Sequence, residues 1–130
     1  VLATQAAAAR AAAEAGSEAI DEWLGEGGEP LTQSIAGPSA KIRTGEAAGQ
    51  ACAIAHQVFG AIGFTEEHEL HQFTKRLWSW RDECGNEAFW SRELGNRILA
   101  GDAGQTLWRA MVPVATAASG AAVKEKAGAA

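Results

Sequence analysis

Glycine and proline fall at intervals along this chain, and apart from residues 31–36, room for one short turn, the stretches between them are long enough for several helical turns. Gly25-Glu26-Gly27-Gly28-Glu29-Pro30 is the densest cluster, followed by Gly37-Pro38, Gly60 with Gly63, Gly85 and Gly101. Such residues punctuate regular structure. The sequence between them is rich in Ala and Glu, holds no Tyr and has few β-branched residues. Alanine and glutamate favour helix, and the scarce types are those that favour strand. The chain is therefore expected to be all-α, an up-and-down four-helix bundle.

Within each stretch the apolar residues recur at helical spacing. A first helix is expected over about residues 2–24, turning Leu2, Ala6, Ala9, Ala13, Ile20 and Trp23/Leu24 inward; its small residues allow a neighbouring helix to approach closely. A second is expected over 38–59, with Ala47, Ala51, Ile54/Ala55 and Val58 inward and Phe64 buried just beyond it. For the third, Thr65 is the expected N-cap, with Glu66, Glu67 and Glu69 at the positive end of the helix dipole. Its apolar seam reads Leu70, Phe73, Leu77, Trp80 and Cys84. Asn86 is placed to cap a fourth helix, 87–100, burying Phe89, Trp90, Leu94 and Ile98. Residues 1–113 should form the helical domain, including a short amphipathic piece at 106–111. Residues 114–130 are expected to be a flexible Ala/Gly-rich tail.

Charge and composition exclude some functions. A formal charge of −5 with one dense basic pair, Lys75-Arg76, gives no basic face for nucleic acid. No apolar run approaches the ~20 residues of a membrane span. The alanine-rich start, broken by Arg10 and Glu14, does not read as a signal peptide. A soluble, cytoplasmic domain is expected. Cys52 and Cys84 form no CxxC and are expected to be reduced, partly buried thiols.

Three places carry residues suited to chemistry. Gln57-Val58-Phe59-Gly60-Ala61-Ile62-Gly63-Phe64 puts two glycines three apart at a helix end. The bland reading is a glycine C-cap and tight turn. The alternative is a corner whose backbone and Gln57 amide a polar ligand approaches. His68 and His71 share a helical face at a spacing of three, but a zinc motif needs four and a third ligand. No metal is expected, and His56 is read as a packing or surface residue. Arg81-Asp82-Glu83 closes the third helix with carboxylates that oppose its dipole unless a cation offsets them. The tryptophans, Trp23, Trp78, Trp80, Trp90 and Trp108, read as core or interface.

The segment from Gln57 to His71, running on to Lys75-Arg76, resembles the C-terminal signature of the acyl-CoA dehydrogenase family: Q-x-x-G-G-x-G-[FY], then an acidic residue, then a basic pair in the next helix. Ala40-Lys41-Ile42-Arg43 with Glu46-Ala47-Ala48 is similar to the family's preceding helix, and the resemblance covers about residues 1–100. It implies that the chain is the C-terminal helical bundle of a longer FAD-dependent flavoprotein, not competent alone. The intact enzyme would oxidise acyl-CoA thioesters at the α and β carbons and pass electrons to an electron-transfer flavoprotein. It would work as a homodimer or a homo- or heterotetramer. The resemblance assigns contact with the adenine-nucleotide half of a neighbouring subunit's FAD to Gln57, Val58, Phe59, Gly60 and Ala61.

This sequence departs from the family pattern at three positions. Ala61 replaces the second glycine, and Phe59 a common histidine. Counted from Gln57, Cys84 stands where the family carries its catalytic glutamate. Glu83 lies one position off, which on a helix turns it about 100° away. No catalytic residue is therefore assigned, with Glu83 a weak candidate; the resemblance implies either that the base comes from another helix, as in some branches of the family, or that this is a non-catalytic subunit of a mixed oligomer. The alternative function is a non-catalytic helical-bundle subunit or interaction module that associates with itself or with a catalytic dehydrogenase.

Overall fold

The computed structural model describes residues 1–25, 34–101 and 108. Four α-helices follow one another: α1, Leu2–Leu24; α2, Ala36–Phe59; α3, Leu70–Asp82; and α4, Glu87–Ala100. A short 3-10 helix, Gly60–Phe64, stands between α2 and α3. There is no strand among the described residues. The all-α, four-helix architecture expected from the sequence is the one observed. Residues Val1–Arg97 form one compact unit and Ile98–Ala130 a second. The tail 114–130 and the piece at 106–111 lie outside the described residues, except for the exposed Trp108.

α2 is the central element. α1 lies antiparallel along it, because Gln5 near the start of α1 hydrogen-bonds Arg43 while Gly16, further on, meets Ala40. Gly16 is buried, and a Cβ there would come within 2.9 Å of the Ala40 Cβ. The two backbones therefore meet through small residues, and dispersion contacts accumulate over their length. α3 is antiparallel to α2 along its C-terminal half: His56 meets Thr74, and Lys41 reaches the carbonyls of Trp80 and Arg81 at 2.8 and 3.1 Å. α4 runs beside the N-terminal half, from Glu87 against Gly45 to Arg97, whose guanidinium donates to the Ser34 carbonyl.

α1, α2 and α4 have close to the limits read from the sequence, α3 is shorter than expected at both ends, and the inward faces of α1 and α3 are rotated from expectation. On α1 the partly buried positions are Gln5, Ala8, Ala9, Ala12 and Ala19 around Gly16, while Leu2, Ala6, Ala13, Ile20, Trp23 and Leu24 are exposed. On α2 the expected stripe holds, with Ala47 buried and Ala51, Ile54 and Ala55 partly buried beside the buried Cys52 and His56; of that stripe Val58 is exposed, at 74%. On α3 the buried residue is Thr74, flanked by Leu70, Leu77 and Arg81; Phe73, Trp80 and Cys84 face outward. On α3, Thr74 is turned inward and hydrogen-bonds the buried His56; on α1 the reason is the contact with α2 through Gly16 and Ala40. Helices that meet through Gly and Ala sit too close to leave room for indole or phenyl rings between them. The expected aromatic core is thus corrected: Trp23, Trp78, Trp80 and Trp108 are exposed, and so are Phe64 and Phe89. Trp90, Leu94 and Ile98 on α4 are partly buried at steps of four, as expected.

Two helix starts show how caps decide boundaries. Asn86 Oδ1 accepts the Phe89 N–H at 3.1 Å, the N-cap bond expected for α4. Thr65, by contrast, is not the N-cap of α3. Its hydroxyl donates to the Ile62 carbonyl at 2.8 Å and closes the 3-10 helix instead. α3 starts four residues later than a Thr65 cap would place it, with Glu69 as N-cap and His68 Nδ1 accepting the Leu70 N–H at 3.0 Å. His68 therefore sits before the helix and shares no helical face with His71, whose Nδ1 meets the His68 carbonyl at 2.7 Å.

Candidate functional site

The corner after α2 is built from the glycine outward. α2 ends when Gly60 takes φ 57° and ψ −142°, a conformation that only glycine adopts without strain, while its N–H still bonds the His56 carbonyl. A Cβ on Gly60 would meet nothing within 4 Å, so this backbone faces open space. Gln57, Val58, Phe59, Gly60 and Ala61, the five residues singled out for nucleotide contact, all lie on this exposed corner. The Phe59 ring rests on His68, centroids 4.5 Å apart.

The second glycine of the pair does the opposite job. Gly63 is buried, and a Cβ there would come 3.0 Å from Leu70 Cδ2, 3.1 Å from Phe59 Cβ and 3.3 Å from His56 Nδ1. One glycine opens the turn to the outside; the other lets it fold down onto α2 and α3. Phe64, expected to be buried, is 65% exposed but stacks one face on His56 at 4.0 Å.

His56, read from the sequence as a packing or surface residue, is a packing residue. It is buried at 8% exposure, holds Thr74 Oγ1 at 2.9 Å through Nε2, and lies parallel to Trp78 at 5.8 Å as well as to Phe64. Its place four residues after Cys52 on the inner face of α2 was the available signal. Thr74 gave none, since a buried threonine on a helix looks like any other.

At the other end of α3 the chain turns through Glu83 to Asn86. Lys41 supplies the cation that offsets the acidic helix end, its ammonium bonded to the last carbonyls of α3. Arg81 pairs not with its neighbours but with Glu87, at 2.5 Å. That hydrogen bond holds the Glu87 carboxyl below its ordinary range, with the Lys41 charge adding to the effect, and raises the Arg81 guanidinium. Burial pushes the Cys52 thiol up, partly countered by the charge of Arg81.

Cys84 lies beyond the helix with φ 57°, exposed rather than partly buried, on the rim of a cavity of about 530 Å³ walled by Ile20, Pro38, Phe89 and Trp90. Glu83 is also outside α3, in extended backbone at φ −61° and ψ 136°. Helical rotation therefore does not set the angle between Glu83 and Cys84, contrary to the 100° expected within a helix. Both Cys52 and Cys84 are free thiols. No cluster of metal-ligating side chains occurs among the described residues, and none of the described helices is long and apolar enough to cross a membrane.

These features define an all-helical domain whose exposed corner is shaped by a glycine in a conformation closed to other residues. The chain belongs to the family of acyl-CoA dehydrogenase C-terminal domains, whose family model matches residues 1–102. No curated protein and no solved structure gives a significant match.

Proposed function

We propose that this chain is the FAD-contacting and assembly domain of an acyl-CoA dehydrogenase-like flavoprotein that oxidises acyl-CoA thioesters at the α and β carbons. The carrying observation is the pairing of an exposed Gln57 with the open backbone of Gly60. Gln57 makes no side-chain hydrogen bond among the described residues, so its amide retains two donors and an acceptor for a ligand. A dinucleotide needs such groups beside a backbone it can approach closely, and the corner fits that need. Val58, Ile62 and Phe64, exposed beside it, give the apolar surface a second subunit would cover. Homodimeric or tetrameric assembly follows from this reading, with acyl-CoA as substrate and an electron-transfer flavoprotein as acceptor for the parent.

FAD, when held in the parent, supplies the hydride-accepting chemistry. This chain's own residues would position its nucleotide half: Gln57 by its amide, Gly60 by close backbone approach, and Val58, Phe59 and Ala61 by contact. None of them supplies a base. A thiol at Cys84 is no substitute for a carboxylate, and Glu83 lies outside the helix end. That observation favours a second reading, in which the chain is a non-catalytic subunit or interaction module beside a catalytic partner.

Expressing the chain with its upstream region restored tests the first reading by the flavin absorbance that co-purifies. A folded parent that holds no flavin removes the cofactor assignment. Sedimentation tests the second reading, which requires self-association or a stable mixed oligomer; a strictly monomeric species at high concentration, alone and mixed with a catalytic dehydrogenase, excludes it.

A further inference from the structure

We infer that His56 and Thr74 are positioning residues for the nucleotide corner, acting as a latch that holds residues 57–64 against α3. The inference rests on the reading of that corner as a FAD contact. Three observations carry it. His56 immediately precedes Gln57 and accepts the Gly60 N–H on its carbonyl, so its backbone is part of the corner's first turn. Its ring is pinned on three sides: Nε2 meets Thr74 Oγ1 at 2.9 Å, Phe64 stacks at 4.0 Å, and Gly63 leaves just enough space for Nδ1. Finally, Nδ1 is buried without a hydrogen-bond partner among the described residues.

These facts fix the direction of the latch. The Thr74 hydroxyl lies 3.2 Å from the Leu70 carbonyl and 3.4 Å from that of His71, both of which can only accept. Its proton is committed there, so its lone pair receives the His56 Nε2–H. Nδ1 then carries only an unshared lone pair, and an orphaned acceptor is more tolerable in an interior than an orphaned N–H. The reverse tautomer would bury an unpaired donor and take the Thr74 proton from the α3 backbone. One directed bond thus ties α2 to α3 beneath the corner, with Phe64 and Gly63 laid over it.

Long-range nitrogen–proton correlation on the 130-residue chain should find the neutral His56 ring protonated at Nε2. A ring protonated at Nδ1 overturns the latch as drawn. Thr74→Val keeps the shape but removes the acceptor. Amide exchange at Gly60 and Thr65 should then speed up by about tenfold or more, while the mid-α1 amides stay unchanged. Thr74→Ser, which keeps the hydroxyl, should restore slow exchange. Equal exchange in the Val and Ser variants, or acceleration throughout the chain, rejects a local positioning role. In a flavin-retaining parent the Val variant should lose flavin content and the Ser variant should keep it; equal retention in both rejects the link to the nucleotide. Should the unaltered parent hold no flavin, the functional reading fails, while the tautomer and exchange results still decide the latch.

Discussion

Arg81 donates its Nε–H to Glu87 Oε1 at 2.5 Å, joining the last turn of α3 to the first residue of α4 across the non-helical turn that carries Cys84. Glu87 is the more buried partner, at 15% side-chain exposure against 40% for Arg81. Its carboxylate fills the space left by Gly45 on α2, where even a Cβ would collide with it. Three helices are therefore referenced to one carboxylate.

Glu87→Gln keeps the shape and removes the charge. At neutral pH the variant should be less stable by about 1 kcal/mol, a value held down because Arg81 is half in water. The sign of the pH dependence follows from the lowered Glu87 pKa. A depressed carboxylate contributes fully above its unfolded value of about 4.3, and that contribution is lost as pH falls through the lower folded value. Urea midpoints of the two proteins should therefore converge below pH ~4, and a gap that widens on acidification contradicts this account.

The α1–α2 contact makes a second prediction. Gly16→Leu must push Ala40 away, since a Cβ alone would lie 2.9 Å from the Ala40 Cβ. Overpacking of this kind costs about 1–3 kcal/mol. Thermal unfolding should shift down accordingly, whereas Ala13→Leu, on the exposed side of α1, should leave it nearly unchanged. Equal behaviour of the two variants would falsify the observed face of α1 and favour the stripe read from apolar spacing.

That contrast shows what was legible in the sequence. Helix number and most limits were, because Gly25, Gly60, Gly85 and Asn86 act locally and their effects do not depend on partners; the start of α3 was not, because Thr65 closes the 3-10 helix instead. Which face of α1 and α3 turns inward was not. Apolar spacing pointed to Phe73 and Trp80 on α3, yet the interior holds Thr74, which hydrogen-bonds the buried His56 of α2. At the corner, the spacing of Gly60 and Gly63 gave the turn, and its resemblance to a known signature gave the family. The spacing did not separate the open glycine from the packed one, nor bring His56 to Thr74 across 18 residues of sequence.

The two corner glycines can be distinguished by substitution. Gly60→Ala meets no atom but forces a side chain into a backbone region that excludes it, costing about 1–3 kcal/mol. Gly63→Ala keeps an acceptable backbone but presses on Leu70, Phe59 and His56 at 3.0–3.3 Å. Both should lower the melting temperature. Only Gly63→Ala should disturb the His56 ring resonances, and an undisturbed ring in that variant contradicts the packing described.

Cys84 and Cys52 make the last contrast, between an exposed thiol held in a left-handed backbone and a buried one in a helix. Cys84→Gly should stabilise the chain by up to about 1 kcal/mol, because φ 57° suits glycine and strains every other residue. Cys84→Val should destabilise it, since a β-branched side chain tolerates that φ least. Thiol labelling reads the same geometry from a different direction. One equivalent, at Cys84, should react quickly with a maleimide in the native protein. Cys52, 1% exposed and with its thiol pKa raised by burial, should react only on unfolding. Native labelling of two thiols at similar rates would mean that α2 and α3 do not close over Cys52, and with it the interior on which the corner rests would be lost.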